Sequence, residues 1–272
     1  MSRTASSFRS KRLQAKKRKH KAYKYGIAIF AIAIFIFGIS YLTRSGFLHA
    51  NEVVIEGTGI VERSALEEIA RSEINDSYLG IFSKGNVALY PRRAVEQKIY
   101  DQFKSVASVS ASFDGLKKVL IKVEEYEPDY LWCSSVTHEK CYYMNRDGYI
   151  FSESAGFSNN IIFTYYGIVD PQNPISKIYM PAKEFSEING FIESVKKLGI
   201  LPVGLSVRSE GDFELLLDDG GKVLFLNREP FLTTYENLET ILNEQSKLDK
   251  NYLKHLDYID VRFASKAFVK LK

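Results

Sequence analysis

The side chains of this chain that can do chemistry are four histidines, two cysteines and a few acidic groups, and their spacing limits what they can do. His20, His49, His138 and His255 are scattered, and no H-E-x-x-H, G-x-S-x-G, Walker loop or G-x-G-x-x-G appears. Gly57-Thr58-Gly59 is a fragment of a glycine pattern and reads as a turn at a strand end. Glu124, Glu125, Glu127 and Asp129 alternate along another strand end, and Asp218-Asp219 belong to a turn; both groups read as solvated surface. Asp260 and Arg262, two apart on a strand, share a face and can pair with each other or with a neighbouring strand. Cys133 and Cys141 flank SSVTHEK between two strand-like stretches. Either a disulfide outside the cytoplasm or two free thiols fits them, whereas a metal site built with His138 lacks an evident fourth ligand. Asn75-Asp76-Ser77 matches the glycosylation sequon, a short pattern that arises often by chance. These residues predict no enzyme, no cofactor and no metal.

The segment that must position everything else is Gly26–Leu42 (GIAIFAIAIFIFGISYL). From Tyr25 to Thr43, 19 residues carry no charge. As a helix they span ~28 Å, close to the ~30 Å hydrocarbon core of a bilayer. Residues 1–25 hold ten of the 37 basic residues and none of the 33 acidic ones, so the formal charge of +4 divides into about +10 before the apolar run and −6 after it. This asymmetry predicts a cytoplasmic tail (1–24), a transmembrane helix (25–43) and an extracytoplasmic remainder. Tyr23, Tyr25 and Tyr41 suit the two interfaces, and Lys24 and Arg44 can snorkel to headgroups. A cleaved signal peptide fits less well: the basic region is long, the apolar run exceeds 7–15 residues, and no A-x-A site follows. A buried soluble helix fits poorly because neither face is polar in the run. The basic tail suits anionic lipid, with nucleic acid as the alternative.

The remaining residues suit one large or two small domains. Glu52–Gly57 reads as a strand and turn. Ser64-Ala65-Leu66-Glu67 reads as a capping box opening a helix with Leu66, Ile69, Ala70 and Ile74 on one face. A second helix opens at Pro91 and carries Val95, Ile99 and Phe103. Strands follow at Ala107–Phe113 and Val119–Glu125, the second with Val119, Ile121 and Val123 on its inward face. Further on, Tyr142–Phe151 reads as strand, turn and strand around Asp147-Gly148. A helix from Ser186 carries Ile188, Phe191, Ile192, Val195 and Leu198 and stops at Gly199 and Pro202. Leu205–Arg208, Phe213–Leu217 and Lys222–Leu226 read as three antiparallel strands. A helix spans Phe231–Leu248, and Tyr258–Phe263 with Ala267–Leu271 forms a closing hairpin whose last strand lies at or near a sheet edge. The fold class is α+β: one N-terminal transmembrane helix, a β-α-α-β-β domain, then a mixed domain on a mainly antiparallel sheet.

The β-α-α-β-β order directly after a membrane helix resembles a POTRA domain, and the chain as a whole resembles the FtsQ/DivIB family of bacterial cell-division proteins over roughly residues 20 to 272. Val123-Glu124-Glu125-Tyr126-Glu127-Pro128 with Trp132 matches the family's V-x-E-R-x-P and Trp, except that Tyr126 stands where Arg is usual. Asp114-Gly115-Leu116 likewise replaces the usual Trp-Pro turn. Tyr142–Phe151 looks like the family's Y-x-(L/I)-D-x-x-G-x-x-F, and Tyr258-Ile259-Asp260-Val261-Arg262 like its closing strand. The resemblance implies a POTRA domain at 47–126, an FtsQ-type β domain at 127–272, and a scaffold of the division septum. It implies FtsB- and FtsL-like single-pass partners, with FtsB added as a strand along Phe263, Ala264, Ser265, Lys266, Ala267, Phe268 and Val269. Phe263 and Phe268 serve there either as anchors for the partner or as domain core. An anchored cell-envelope enzyme or wall-binding module is the alternative; an outer-membrane translocation protein fits less well, since no series of barrel strands follows.

Overall fold

A computed structural model describes residues 5–45, 48–136, 140–154, 162–208, 211–226, 230–248, 252–263 and 266–272. The chain is mixed α+β. Among the described residues one helix, α1 (Ala5–Thr43), is long and apolar enough to cross a membrane, and it carries the apolar run with almost none of it buried. The chain divides into two compact units, one of residues up to Phe103, α1 included, with Ser108–Glu124, the other of Lys104–Ala107 with Glu125–Lys272.

The first unit continues from α1 with β1 (Glu52–Glu56), α2 (Arg63–Ile74), β2 (Ser77–Tyr78), β3 (Phe82–Ser83), α3 (Arg92–Gln102), β4 (Val106–Asp114, mostly in this unit) and β5 (Lys118–Glu125). Its three-stranded sheet has the order β1-β5-β4, with β1 parallel to β5 and Val53 opposite Val119. Parallel neighbours need a crossover, and the two helices lie within it. Val119, Ile121 and Val123 are buried with Leu66, Ala70 and Ile74 of α2 and Val95 and Ile99 of α3, as their spacing requires. The capping box does not form. The residue before α2 is Glu62, no side chain caps it, and Ser64 lies inside the first turn; Glu67 instead pairs with Arg71 one turn on. The short β2–β3 hairpin between the helices is an element the sequence pattern does not signal, because two-residue strands carry no periodicity. Gly57 ends β1 at φ +88°, where a Cβ would lie 2.1 Å from the Val123 carbonyl oxygen; only glycine fits so close an approach.

The second unit holds β6 (Tyr130–Cys133), β7 (Cys141–Met144), β8 (Ile150–Glu153), β9 (Thr164–Tyr166), α4 (Ala182–Lys196), β10 (Pro202–Val207), β11 (Asp212–Leu217), β12 (Lys222–Leu226), α5 (Phe231–Leu248), a 3-10 turn at Tyr252–His255, β13 (Leu256–Phe263) and β14 (Lys266–Leu271). They form one nine-stranded mixed sheet in the order β14-β13-β12-β11-β10-β9-β6-β7-β8. Five of the eight junctions are antiparallel, and three, β12/β13, β10/β9 and β6/β9, are parallel. Two of the parallel junctions are β-α-β crossovers, through α4 and through α5. Both step toward β14 from strands of the same direction, so a common hand places both helices on one face. The helices pack together there, and Phe185, Ile188, Phe191, Ile192 and Val195 join Leu238 and Leu242 over Phe213, Leu215, Val223, Phe225, Ile259 and Val261. α4 begins four residues before Ser186, directly after Pro181. Gly148 makes the β7–β8 turn at φ +80°. Cys133 and Cys141 face each other across β6 and β7 and form a disulfide. Nearby, Trp132 is fully buried and donates from Nε1 to the Gly167 carbonyl at 2.9 Å.

A candidate partner-binding edge at the last strand

The two ends of the nine-stranded sheet differ. At β8, the loop before α4 returns alongside: the Ile150 amide donates to the Lys177 carbonyl at 2.9 Å and the Ser176 amide to the Ile150 carbonyl at 2.8 Å. At the other end β14 has β13 on one side and no strand on the other among the described residues. Alternate amides and carbonyls of such a strand face outward unpaired by the sheet, which is the chemistry that accepts another strand.

The side chains follow the pleat. Val269, opposite Ile259, is half-buried against the helix-covered core, whereas Phe268, opposite Asp260, and Lys270, opposite Tyr258, stand on the face away from the helices. Phe263 and Phe268 are each 50% exposed and meet edge to face with ring centroids 5.5 Å apart. They are thus surface rather than core. The register slips between Asp260 and Phe263, a bulge that lets Phe263 approach Phe268 despite the pleat. Val261, Phe263 and Lys266 line a shallow groove of about 230 Å³ with Asn237 and Ile241 of α5. Ala264 and Ser265 lie outside the described residues; Lys266 and Ala267 are exposed.

Behind the edge, charges hold β13 in place. Arg262 donates from Nε and Nη2 to both carboxylate oxygens of Asp260, at 2.9 and 2.7 Å, and from Nη1 to Asp212 of β11 at 2.7 Å. Of the two partners anticipated for Asp260 and Arg262, they take each other, and Arg262 also reaches past β12 to Asp212, two strands away rather than on a neighbouring strand. Burial alone would raise the Asp260 carboxyl, but the Arg262 hydrogen bonds and charge outweigh it and hold the group below the usual aspartate range. Arg262 is pushed up in turn by Asp260 and Asp212. A second group sits on the same helix-free face: Glu214 lies between Arg208 and Lys222, each at 2.8 Å. Burial acts to raise the Glu214 carboxyl, and the two cations bring it below its ordinary value. Asp212, Glu214 and Lys222 alternate with the buried residues of β11 and β12, a signal open to sequence reading once the strands are paired. At the rim, Lys270 bonds Asp257 at 2.6 Å and lies over the Tyr258 ring.

The described histidines fall on separate elements. His20 is on α1, His49 lies 3.3 Å from the Ser83 hydroxyl, and His255 closes the 3-10 turn, while His138 is outside the described residues. Among the described residues no three His, Cys, Asp or Glu side chains converge in a way that would hold a metal ion. A scan against protein-family models matches none, and no curated protein matches the chain.

Proposed function

We propose that the chain is a membrane-anchored, non-enzymatic scaffold of the bacterial division septum, of the FtsQ/DivIB kind. In this reading it binds FtsB- and FtsL-like single-pass proteins outside the cytoplasm. The observation that carries the reading is the open edge at β14, with the exposed Phe263–Phe268 pair beside it. A partner strand laid along β14 gains main-chain hydrogen bonds, and the two rings offer it apolar contact. Lys266, Lys270 and Lys272 discourage self-pairing of so open an edge and favour a partner segment bearing acids. The order β1-β5-β4 with two helices on a crossover suits the POTRA reading of the first unit. α1, preceded by a basic tail, suits an anchor with its N-terminus in the cytoplasm. Anchoring both proteins in one plane raises the effective concentration for weak strand pairing.

The test is co-purification from detergent-solubilised membranes, read by mass spectrometry. The full chain is compared with a form ending at Phe263 and with Phe263→Ala/Phe268→Ala. The expected result is capture of single-pass division proteins by the full chain and loss of that capture in both variants, with each still in the membrane fraction. Capture undiminished by either change would refute the edge as the interface.

A further inference from the structure

The hairpin β2–β3 carries an apolar tip whose side chains the described residues leave exposed. Leu79 is 90% exposed and has φ +53°, in the left-handed region that costs a leucine about 1–2 kcal/mol. Gly80 follows at φ +70°, and the Ile81 amide donates to the Tyr78 carbonyl at 3.0 Å to close the turn. Tyr78 and Ile81 are exposed as well. A strained backbone that displays a leucine to water is stabilised neither by burial nor by its own conformation, so its partner lies outside the chain.

The position of the tip identifies that partner. Ser40 Oγ, inside the apolar run, donates to the Ile81 carbonyl at 2.7 Å, and Arg44 Nη2 donates to the Gly80 carbonyl at 2.9 Å. Exposure along α1 falls to 39% at Ile36 and 36% at Ile39, against 52–76% at the large apolar side chains from Ile27 to Phe35 and at Phe37, Tyr41 and Leu42. The hairpin therefore leans on the last turns of the apolar helix. A ~30 Å hydrocarbon core centred on the charge-free stretch reaches about ten helical residues either side of its midpoint, to about residue 44. Ser40 then lies ~6 Å inside that boundary, and its hydrogen bond draws Ile81 to a similar depth.

We infer that the Tyr78–Ile81 tip inserts into the outer leaflet of the bilayer as a second, shallow membrane contact beside α1. The inference rests on the anchoring reading above. Leu79 and Ile81 enter the acyl region, Tyr78 sits at the interface where its phenol reaches water, and Arg44 stands at headgroup level. Two contacts rather than one would hold the first unit against rotation about the helix axis.

The test uses the full chain in phosphatidylcholine–phosphatidylglycerol vesicles, with single cysteines at Leu79→Cys, Ile34→Cys and Ile60→Cys labelled by an environment-sensitive fluorophore. Cys133 and Cys141 are disulfide-bonded and do not react. Ile60 is an exposed apolar control beyond the far end of β1. The expected result is quenching of the Leu79 label by shallow doxyl lipids at least about twofold stronger than at Ile60, as burial ~5–10 Å into the boundary requires, together with quenching of the Ile34 label by deep doxyl lipids. If Ile34 is quenched but Leu79 behaves like Ile60, whether both are dry or both wet, the tip inference falls and the anchor stands. If Ile34 is not quenched, the anchor reading falls and takes the tip with it.

Discussion

Replacing Arg262 by methionine tests whether electrostatics holds β13, and with it the open edge at β14, in place. Methionine keeps much of the apolar stem and removes the guanidinium, so Asp260 loses two side-chain hydrogen bonds and Asp212 loses one. Removing one partner of a fully buried ion pair costs about 3–5 kcal/mol. The Asp260 side chain is 9% exposed and that of Arg262 28%, so solvent screening brings the expected loss to about 2–3 kcal/mol. At roughly 2–4 °C per kcal/mol this lowers the unfolding midpoint by about 4–12 °C. The dependence on pH is the sharper signature. In the parent chain the Asp260 carboxyl is depressed, so its contribution is present above the ordinary aspartate value of about 3.9 and is lost as pH falls through the lower folded value. In the variant burial outweighs the one hydrogen bond that remains, from the residue-262 backbone amide, and raises the group, so protonation relieves the cost as pH falls. The difference between the two proteins is therefore full at neutral pH and closes as pH falls through the carboxylate range and the depressed folded value. Urea unfolding followed by Trp132, the single tryptophan and fully buried in this unit, measures it at each pH. A difference that stays constant with pH would mean that Arg262 acts only by packing.

Three further outcomes are expected. Gly57→Ala should destabilise the first unit by at least about 2 kcal/mol, since alanine meets both the left-handed backbone and the Val123 carbonyl; hydrogen exchange at β1 and β5 reads it, and an unchanged rate would contradict the close approach. Removing the disulfide by Cys133→Ser/Cys141→Ser should cost about 2.5 kcal/mol by the loop-closure relation for so short a loop, seen as a lower urea midpoint by Trp132 fluorescence; a variant of parent stability would speak against the crosslink. Phe263→Ala/Phe268→Ala should lower stability by no more than about 1–2 kcal/mol, because each ring is half exposed; a loss above about 4 kcal/mol in thermal unfolding would mark the rings as core and remove them from any interface.

The parts of this protein that local pattern determines were legible in its residues. The apolar run required a helix of membrane length. Strict alternation of Val119, Ile121 and Val123 gave β5 its buried face, and the four-residue recurrence from Ile188 to Val195 gave α4 its own. The antiparallel strands from β10 to β12 and the closing hairpin followed from turn residues between alternating segments, and with them the last strand's place at the sheet edge. What the residues left open depended on partners far away in sequence. β9 is three residues long, too short for a period, and exists because β6 and β10 hydrogen-bond it from both sides. The capping box at Ser64 failed because the helix begins two residues earlier than such a cap requires, at Arg63 with Glu62 at the cap position. Cys133 and Cys141 could be thiols or a crosslink until β6 and β7 set them face to face. Asp260 and Arg262 announced a pair, but the third member, Asp212, came from β11, and only pairing of the strands could supply it. Local sequence determined which faces must be buried and where chains must turn. The tertiary structure decided which edge stays open and which side chains meet, because those depend on hydrogen-bond ladders between segments tens of residues apart.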